Sequence, residues 1–214
     1  MYRIGIVDDV KSERDDIEVS ILDNIGDEIL FKEYELKCKT KIDLFKEIQD
    51  DVLEKEIQAL IVDFKLDTTV DVIKGWEVIE FMHSECPEFP VVIMTNAPDE
   101  SKESKYTDAD KVYAKKVFLN PELSETKELV NNIKLNMLRY VTIRNELEEK
   151  LAIELQNLES DRENTKTIEK IVQIENELQK YKQIYQPTFD STFKIDDLKE
   201  AFELLNKYED FLEK

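Results

Sequence analysis

Along roughly the first half of the chain, apolar positions alternate between two rhythms. Short β-rich runs at 2–8 (YRIGIVD), 29–38 (ILFKEYELKC), 59–64 (ALIVDF), 91–95 (VVIMT) and 111–115 (KVYAK) read as strands. Amphipathic stretches between them, at 11–24, 41–54 and 75–84, more weakly at 99–106, and again from Glu122, read as helices. Strands that alternate with helices predict an α/β fold with a parallel, doubly wound sheet, because right-handed crossovers cover both of its faces. The first, third and fourth runs are almost continuously apolar, as strands buried on both faces are, so they belong at the centre.

Beyond Pro121 the rhythm changes. Glycine disappears, charge is dense, and apolar residues fall three and four apart. One stripe runs through Val130, Ile133, Met137, Val141, Leu147, Leu151, Leu155 and Leu158, and a second through Ile168, Ile171, Ile174, Leu178, Tyr181 and Tyr185. The polar stretch SDRENT at 160–165 separates them. As a tight turn it would fold the two helices into an antiparallel hairpin; as helix it would leave one long rod. QPTFDST at 186–192 breaks the pattern again, and a shorter amphipathic helix is expected over 196–212. Stripes this narrow need a second helix to cover them, from the same chain or from a second copy, so a homodimer through these helices is expected. The division predicted is an α/β domain at 1–135 and a helical module at 136–214.

Charge narrows the list of partners. The 214 residues carry a formal net charge of −20, and residues 119–214 hold 14 basic against 21 acidic side chains, a balance of −7. Binding to a phosphate backbone or an anionic membrane requires clustered Lys and Arg, so neither nucleic acid nor membrane is an expected partner; proteins and cations are. Cys38 and Cys86 lie far apart without metal-ligand spacing, no run reaches membrane-span length, and no signal-like leader opens the chain. A reduced, cytoplasmic protein is expected.

The run RIGIVDD ends a buried strand on two like charges, Asp8 and Asp9. By themselves they could merely solvate the strand end and cap a helix. In an open parallel sheet, however, the functional crevice lies beyond the carboxyl ends of the strands. Asp63 ends the third strand, Thr95 the fourth, and the pair Lys115–Lys116 the fifth. Three carboxylates meeting at one point repel one another unless a cation sits among them, and an oxygen-only donor set suits Mg²⁺.

These residues, in this order and on these strands, resemble the receiver domain of two-component response regulators over residues 1 to about 135. The resemblance implies a flavodoxin-like (βα)5 fold with strand order 2-1-3-4-5. It implies Mg²⁺ bound by Asp8, Asp9, Asp63 and the main-chain carbonyl of Lys65. Asp63 would accept a phosphoryl group from a histidine kinase or phosphotransfer protein, Thr95 would bond the phosphoryl oxygen, and Tyr113 would be the aromatic that turns when Thr95 moves. YAKKVF resembles the family's aromatic-x-x-Lys-Pro-Phe pattern, which assigns the phosphate-pairing lysine to Lys116, with Lys115 as the alternative. On this reading the chain is a signalling protein and not an enzyme, and its helical module passes the signal to a downstream protein.

The chain departs from the family in three places. Val117 stands where a proline follows the lysine, the loop KLDTTVDVIK after Asp63 is long, and Asn96 replaces a small residue. Two rival readings remain: a degenerate receiver that serves as a constitutive scaffold or dimerisation protein, and a phosphohydrolase of the haloacid dehalogenase type. The latter class carries Asp-x-Asp after its first strand, which the adjacent Asp8 and Asp9 do not match.

Overall fold

Five parallel strands pair side by side: β1 (Tyr2–Val7), β2 (Ile29–Glu33), β3 (Ala59–Asp63), β4 (Val91–Thr95) and β5 (Val112–Ala114). Their spatial order, β2-β1-β3-β4-β5, is the doubly wound order expected, with β1, β3 and β4 central. This computed structural model describes residues 2–26, 28–37, 39–66, 73–99, 111–161, 164–184 and 187–188. Every residue of β3 and β4 is buried, which is why both read as unbroken apolar runs. β2 ends at Glu33 and not at Cys38, because this edge strand has only β1 to pair with and β1 ends at Val7. Tyr34 donates one more backbone bond, to Ile6 O at 2.9 Å, and its buried hydroxyl then donates to Asp51 Oδ2 at 2.7 Å.

Helices α1 (Lys11–Ile25), α2 (Lys41–Leu53) and α3 (Gly75–Glu85) occupy the first three predicted helical stretches. A capping box opens α2: Thr40 Oγ1 accepts from Asp43 N–H, and the Asp43 carboxylate accepts from Thr40 N–H. After β5 comes a single helical turn, α4 (Lys115–Phe118), and then α5 (Ser124–Ser160). Of the helix expected at 99–106 only Asp99 is among the described residues, and the helix expected at 196–212 lies wholly outside them.

One face of the sheet, formed by Ile4, Ile6, Ala59, Ile61, Val92, Met94 and Tyr113, packs with Ile17 and Ile21 of α1, Phe118, and Val130, Ile133 and Met137 of α5. The Ile, Val, Met and Phe side chains among them each contribute about 1.5–3 kcal/mol when fully buried. Two hydroxyls tie the α4 turn down: Ser20 Oγ donates to Phe118 O at 2.6 Å, and Thr126 Oγ1 donates to Val117 O at 2.8 Å.

The contacts divide the chain into two units, Met1–Thr142 and Ile143–Lys214. The division falls seven residues after the expected 135 (142 − 135), because Met137 still belongs to the sheet's core and Tyr140 meets Phe89 edge-on, with ring centroids 5.0 Å apart. In the second unit α5 stops at Ser160 and α6 (Thr165–Leu178) begins, its first turn capped by the Asn164 side chain, which accepts from Thr167 N–H at 3.2 Å. Lys170 pairs with Glu154 at 2.8 Å and Lys182 with Glu148 at 2.7 Å, so the two helices run antiparallel as a hairpin. Ile168, Ile171 and Leu178 of the second stripe are buried there. No helix among the described residues is long and apolar enough to cross a membrane.

One glycine fixes where α3 sits. A Cβ on Gly75 would lie 1.8 Å from the carbonyl oxygen of Asp63 and 2.9 Å from the Cα of Phe64, both backbone atoms with no room to yield. Gly75→Ala is therefore expected to cost at least about 3 kcal/mol in urea unfolding, the upper end for overpacking. A cost below 1 kcal/mol would mean that α3 is not held this tightly.

Candidate functional site

The carboxyl ends of β1 and β3 bring three acids together. Carboxylate oxygens of Asp8, Asp9 and Asp63 all lie within 4.8 Å of one another. Asp8 and Asp63 are buried and Asp9 is half-buried, so little water screens the repulsion. The β1–α1 turn holds Asp8 from several sides. Its Oδ1 accepts from Val10 N–H at 2.8 Å, its main-chain carbonyl accepts from Arg14 Nη1 at 2.6 Å, and Arg14 also pairs with Glu33.

The opposing charge is Lys115, only 2% exposed. Its Nζ donates to Asp8 Oδ2 at 2.8 Å, lies 3.3 Å from Asp63 Oδ2, and contacts Glu13 Oε2. Burial pulls the ammonium pKa down, but the hydrogen bonds to Asp8 and Glu13 and the charges of Asp63 and Asp8 outweigh it, and the net direction is upward. Lys115 is therefore charged throughout the physiological range.

Asp63 behaves oppositely. Its carboxyl is pushed up to about 6, first by desolvation and then by the charge of Asp8, against the pull of Lys115 and a hydrogen bond from the Lys65 backbone N–H. A carboxylate that is costly to ionise in place is suited to receiving a cation or to being neutralised covalently.

Two of the expected assignments need correction. The lysine that reaches the carboxylates is Lys115; Lys116, the next residue, is exposed. The aromatic-x-x-Lys spacing pointed one residue too far, because β5 ends at Ala114 and Lys115 is the first residue after it. The residue following the site lysine is consequently Lys116, and Val117 comes one position later.

Tyr113 is the second correction. Side chains alternate across a strand, and the register pairs Met94 with Tyr113 and Thr95 with Ala114. Met94 and Tyr113 belong to the core packed on α1 and α5, with the Tyr113 ring stacked on Phe118 at 6.2 Å. Thr95 projects to the opposite face, where its β5 neighbours are Val112 and Ala114. Tyr113 cannot turn into space that Thr95 vacates. Thr95 itself is 1% exposed, and its hydroxyl oxygen accepts from Ala97 N–H at 3.0 Å, so the hydroxyl hydrogen is what it can offer an incoming oxygen.

Glu13 and Arg14 were not foreseen. An acidic residue in the first turn of the helix that follows β1 lies at the same mouth as Asp8, and that position is the signal that could have identified Glu13. Among the expected ligand groups, Lys65 is exposed at the start of the loop after β3, and residues 67–72 of that loop lie outside the described residues.

No protein-family model matches the sequence, and no curated protein matches it. Solved structures resemble it. The signal receiver domain of a modulated diguanylate cyclase from Desulfovibrio desulfuricans G20 superposes with a TM-score of 0.42 at 15% identity, covering 62% of this chain and 96% of that one. A receiver domain from Rhodospirillum rubrum gives 0.37 at 19%, covering 65% and 94%. NtrX from Brucella abortus gives 0.44 at 16%, covering 71% of this chain, which spans 34% of the NtrX chain.

Two measurements check this geometry. Lys115→Met strands three carboxylates around one lost charge and is expected to destabilise the fold by on the order of 3 kcal/mol, whereas Lys116→Met stays within about 0.5 kcal/mol of wild type. A larger effect of Lys116→Met would return the assignment to Lys116. For Asp63 the sign follows from its raised pKa: the neutral form is favoured on folding, and that contribution, complete below the unfolded value near 3.8, is lost as pH rises through about 6. Asp63→Asn is thus expected to stabilise the metal-free protein at pH 8 by on the order of 1 kcal/mol after allowance for solvent screening, and not at pH 4. A pH-independent difference in melting temperature would refute the desolvation of Asp63.

Proposed function

We propose that the chain is a response regulator of a two-component phosphorelay, with Asp63 as its phospho-acceptor. The observation that carries this reading is the Lys115 ammonium placed between Asp8 and Asp63 at the C-terminal mouth of the sheet, with Asp9 completing the acid cluster. The donor set fits a hard divalent cation: three carboxylates, no nitrogen or sulfur, and one member already resisting ionisation. Asp8, Asp9 and Asp63, with the main-chain carbonyl of Lys65, would hold Mg²⁺. The bound ion supplies charge neutralisation for the arriving phosphoryl group.

The chain's own residues then have distinct roles. An Asp63 oxygen attacks phosphorus as the phosphorus–nitrogen bond of a phosphohistidine donor breaks; the electron pair stays on that nitrogen, and the ring, already protonated at its other nitrogen, departs as neutral imidazole. Lys115 faces the new negative charge, and Thr95 donates its hydroxyl to a phosphoryl oxygen from the neighbouring strand. The protein acts by carrying the group, without turning over a substrate.

The receiver occupies residues 1–135, with its core extending into α5. The helical module would engage a downstream protein or a second copy of the chain in the cytoplasm, and the acidic balance of residues 119–214 disfavours DNA as its target.

With Mg²⁺ and beryllofluoride at about a hundredfold over their dissociation constants, the melting temperature is expected to rise by about 5–10 °C, whereas Asp63→Asn shows no beryllofluoride-dependent rise. If Mg²⁺ plus beryllofluoride leaves the wild type unshifted, the phospho-acceptor reading is wrong and a constitutive scaffold takes its place.

A further inference from the structure

Glu13, in the first turn of α1, contacts the same Lys115 nitrogen that Asp8 and Asp63 share. Unlike those two it is partly open to solvent, with its side chain 28% exposed. It also does not belong to the cluster of carboxylates close enough to share one ion. Its role is therefore directed at the lysine.

We infer that Glu13 occupies the place on Lys115 that a phosphoryl oxygen must take, and so acts as a built-in competitor that sets how tightly the site accepts its ligand. This rests on the phospho-acceptor reading and adds a specificity-determining residue to it. An ammonium has three hydrogens to donate, and Asp8, Glu13 and Asp63 already stand around it. A fourth anion can reach Lys115 only by displacing one of them. Asp8 is fixed by the Val10 N–H and is 1% exposed, and Asp63 is the acceptor itself. Glu13, on a long side chain at the solvent edge, is the partner free to swing outward.

Charge points the same way. Four ionised carboxylates and one ammonium leave −4 + 1 = −3 at the site, so a divalent ion brings it only to −1 before a dianionic phosphoryl group arrives. A competitor of this kind keeps Lys115 satisfied in the resting protein and lets only a ligand held by both the metal and Asp63 displace it.

The test is beryllofluoride binding followed by fluorine NMR at saturating Mg²⁺, on the full chain, for wild type, Glu13→Gln and Glu13→Ala. Removing one unit charge in direct contact with Lys115 is expected to tighten beryllofluoride binding by about tenfold or more in both variants. Mg²⁺ affinity, titrated separately, should change by no more than a few-fold. If both variants bind beryllofluoride as the wild type does, or more weakly, Glu13 is no competitor and instead positions Lys115; the phospho-acceptor reading survives that result. If none of the three proteins binds beryllofluoride while Mg²⁺ still binds, the phospho-acceptor reading falls and the role of Glu13 falls with it.

Discussion

A lysine ammonium almost wholly removed from water, with carboxylates from the ends of two different strands around it, is the constraint on which this half of the molecule depends. Neither side of that arrangement is tolerable without the other. An unpaired buried charge costs several kcal/mol, and so does a cluster of unopposed acids. The surrounding architecture keeps the two in register. β1 and β3 are adjacent and deliver Asp8 and Asp63 to the same height, while β5 stops after three residues so that Lys115 leads the next turn. Ser20 and Thr126 then hold the carbonyls of that turn.

The same register decides what the site is connected to. With Lys115 as its lysine, the β5 residues beside Thr95 are Val112 and Ala114, and the only aromatic on the strand faces the other way. Tyr113 stacks on Phe118, which closes the turn begun by Lys115, and both share a core with Val130, Ile133 and Met137 of α5. Only two residues, Lys116 and Val117, thus separate the site's lysine from Phe118, whose side chain packs with α5. The resemblance to receiver domains implies a coupling by an aromatic that follows Thr95. In this chain the aromatic of β5 packs on the opposite face of the sheet.

Much of this was legible from residue order. Continuous apolar runs identified β3 and β4 because burial on both faces leaves no polar alternation to obscure them, and the acids at the strand ends stood out because charge is out of place there. SDRENT is compatible with helix as well as turn, so residue order does not decide between rod and hairpin; the Asn164 cap and two interhelical ion pairs do. Lys115 and Lys116 are chemically identical neighbours, so nothing local could separate them. That choice depended on where β5 ends, which in turn depends on its pairing with β4.

The sequence by itself determined the class of fold, the central strands, and the presence of three acids and a hydroxyl at their carboxyl ends. It could do so because hydrophobic periodicity and strand-end charge are local properties of the chain. Tertiary structure alone decided which lysine is buried, which face Tyr113 occupies, and that Glu13 joins the site. The first two depend on strand register, since shifting a strand by one residue exchanges its inward and outward side chains without altering a single local propensity, and the third on the packing of α1 beside the turn that carries Lys115.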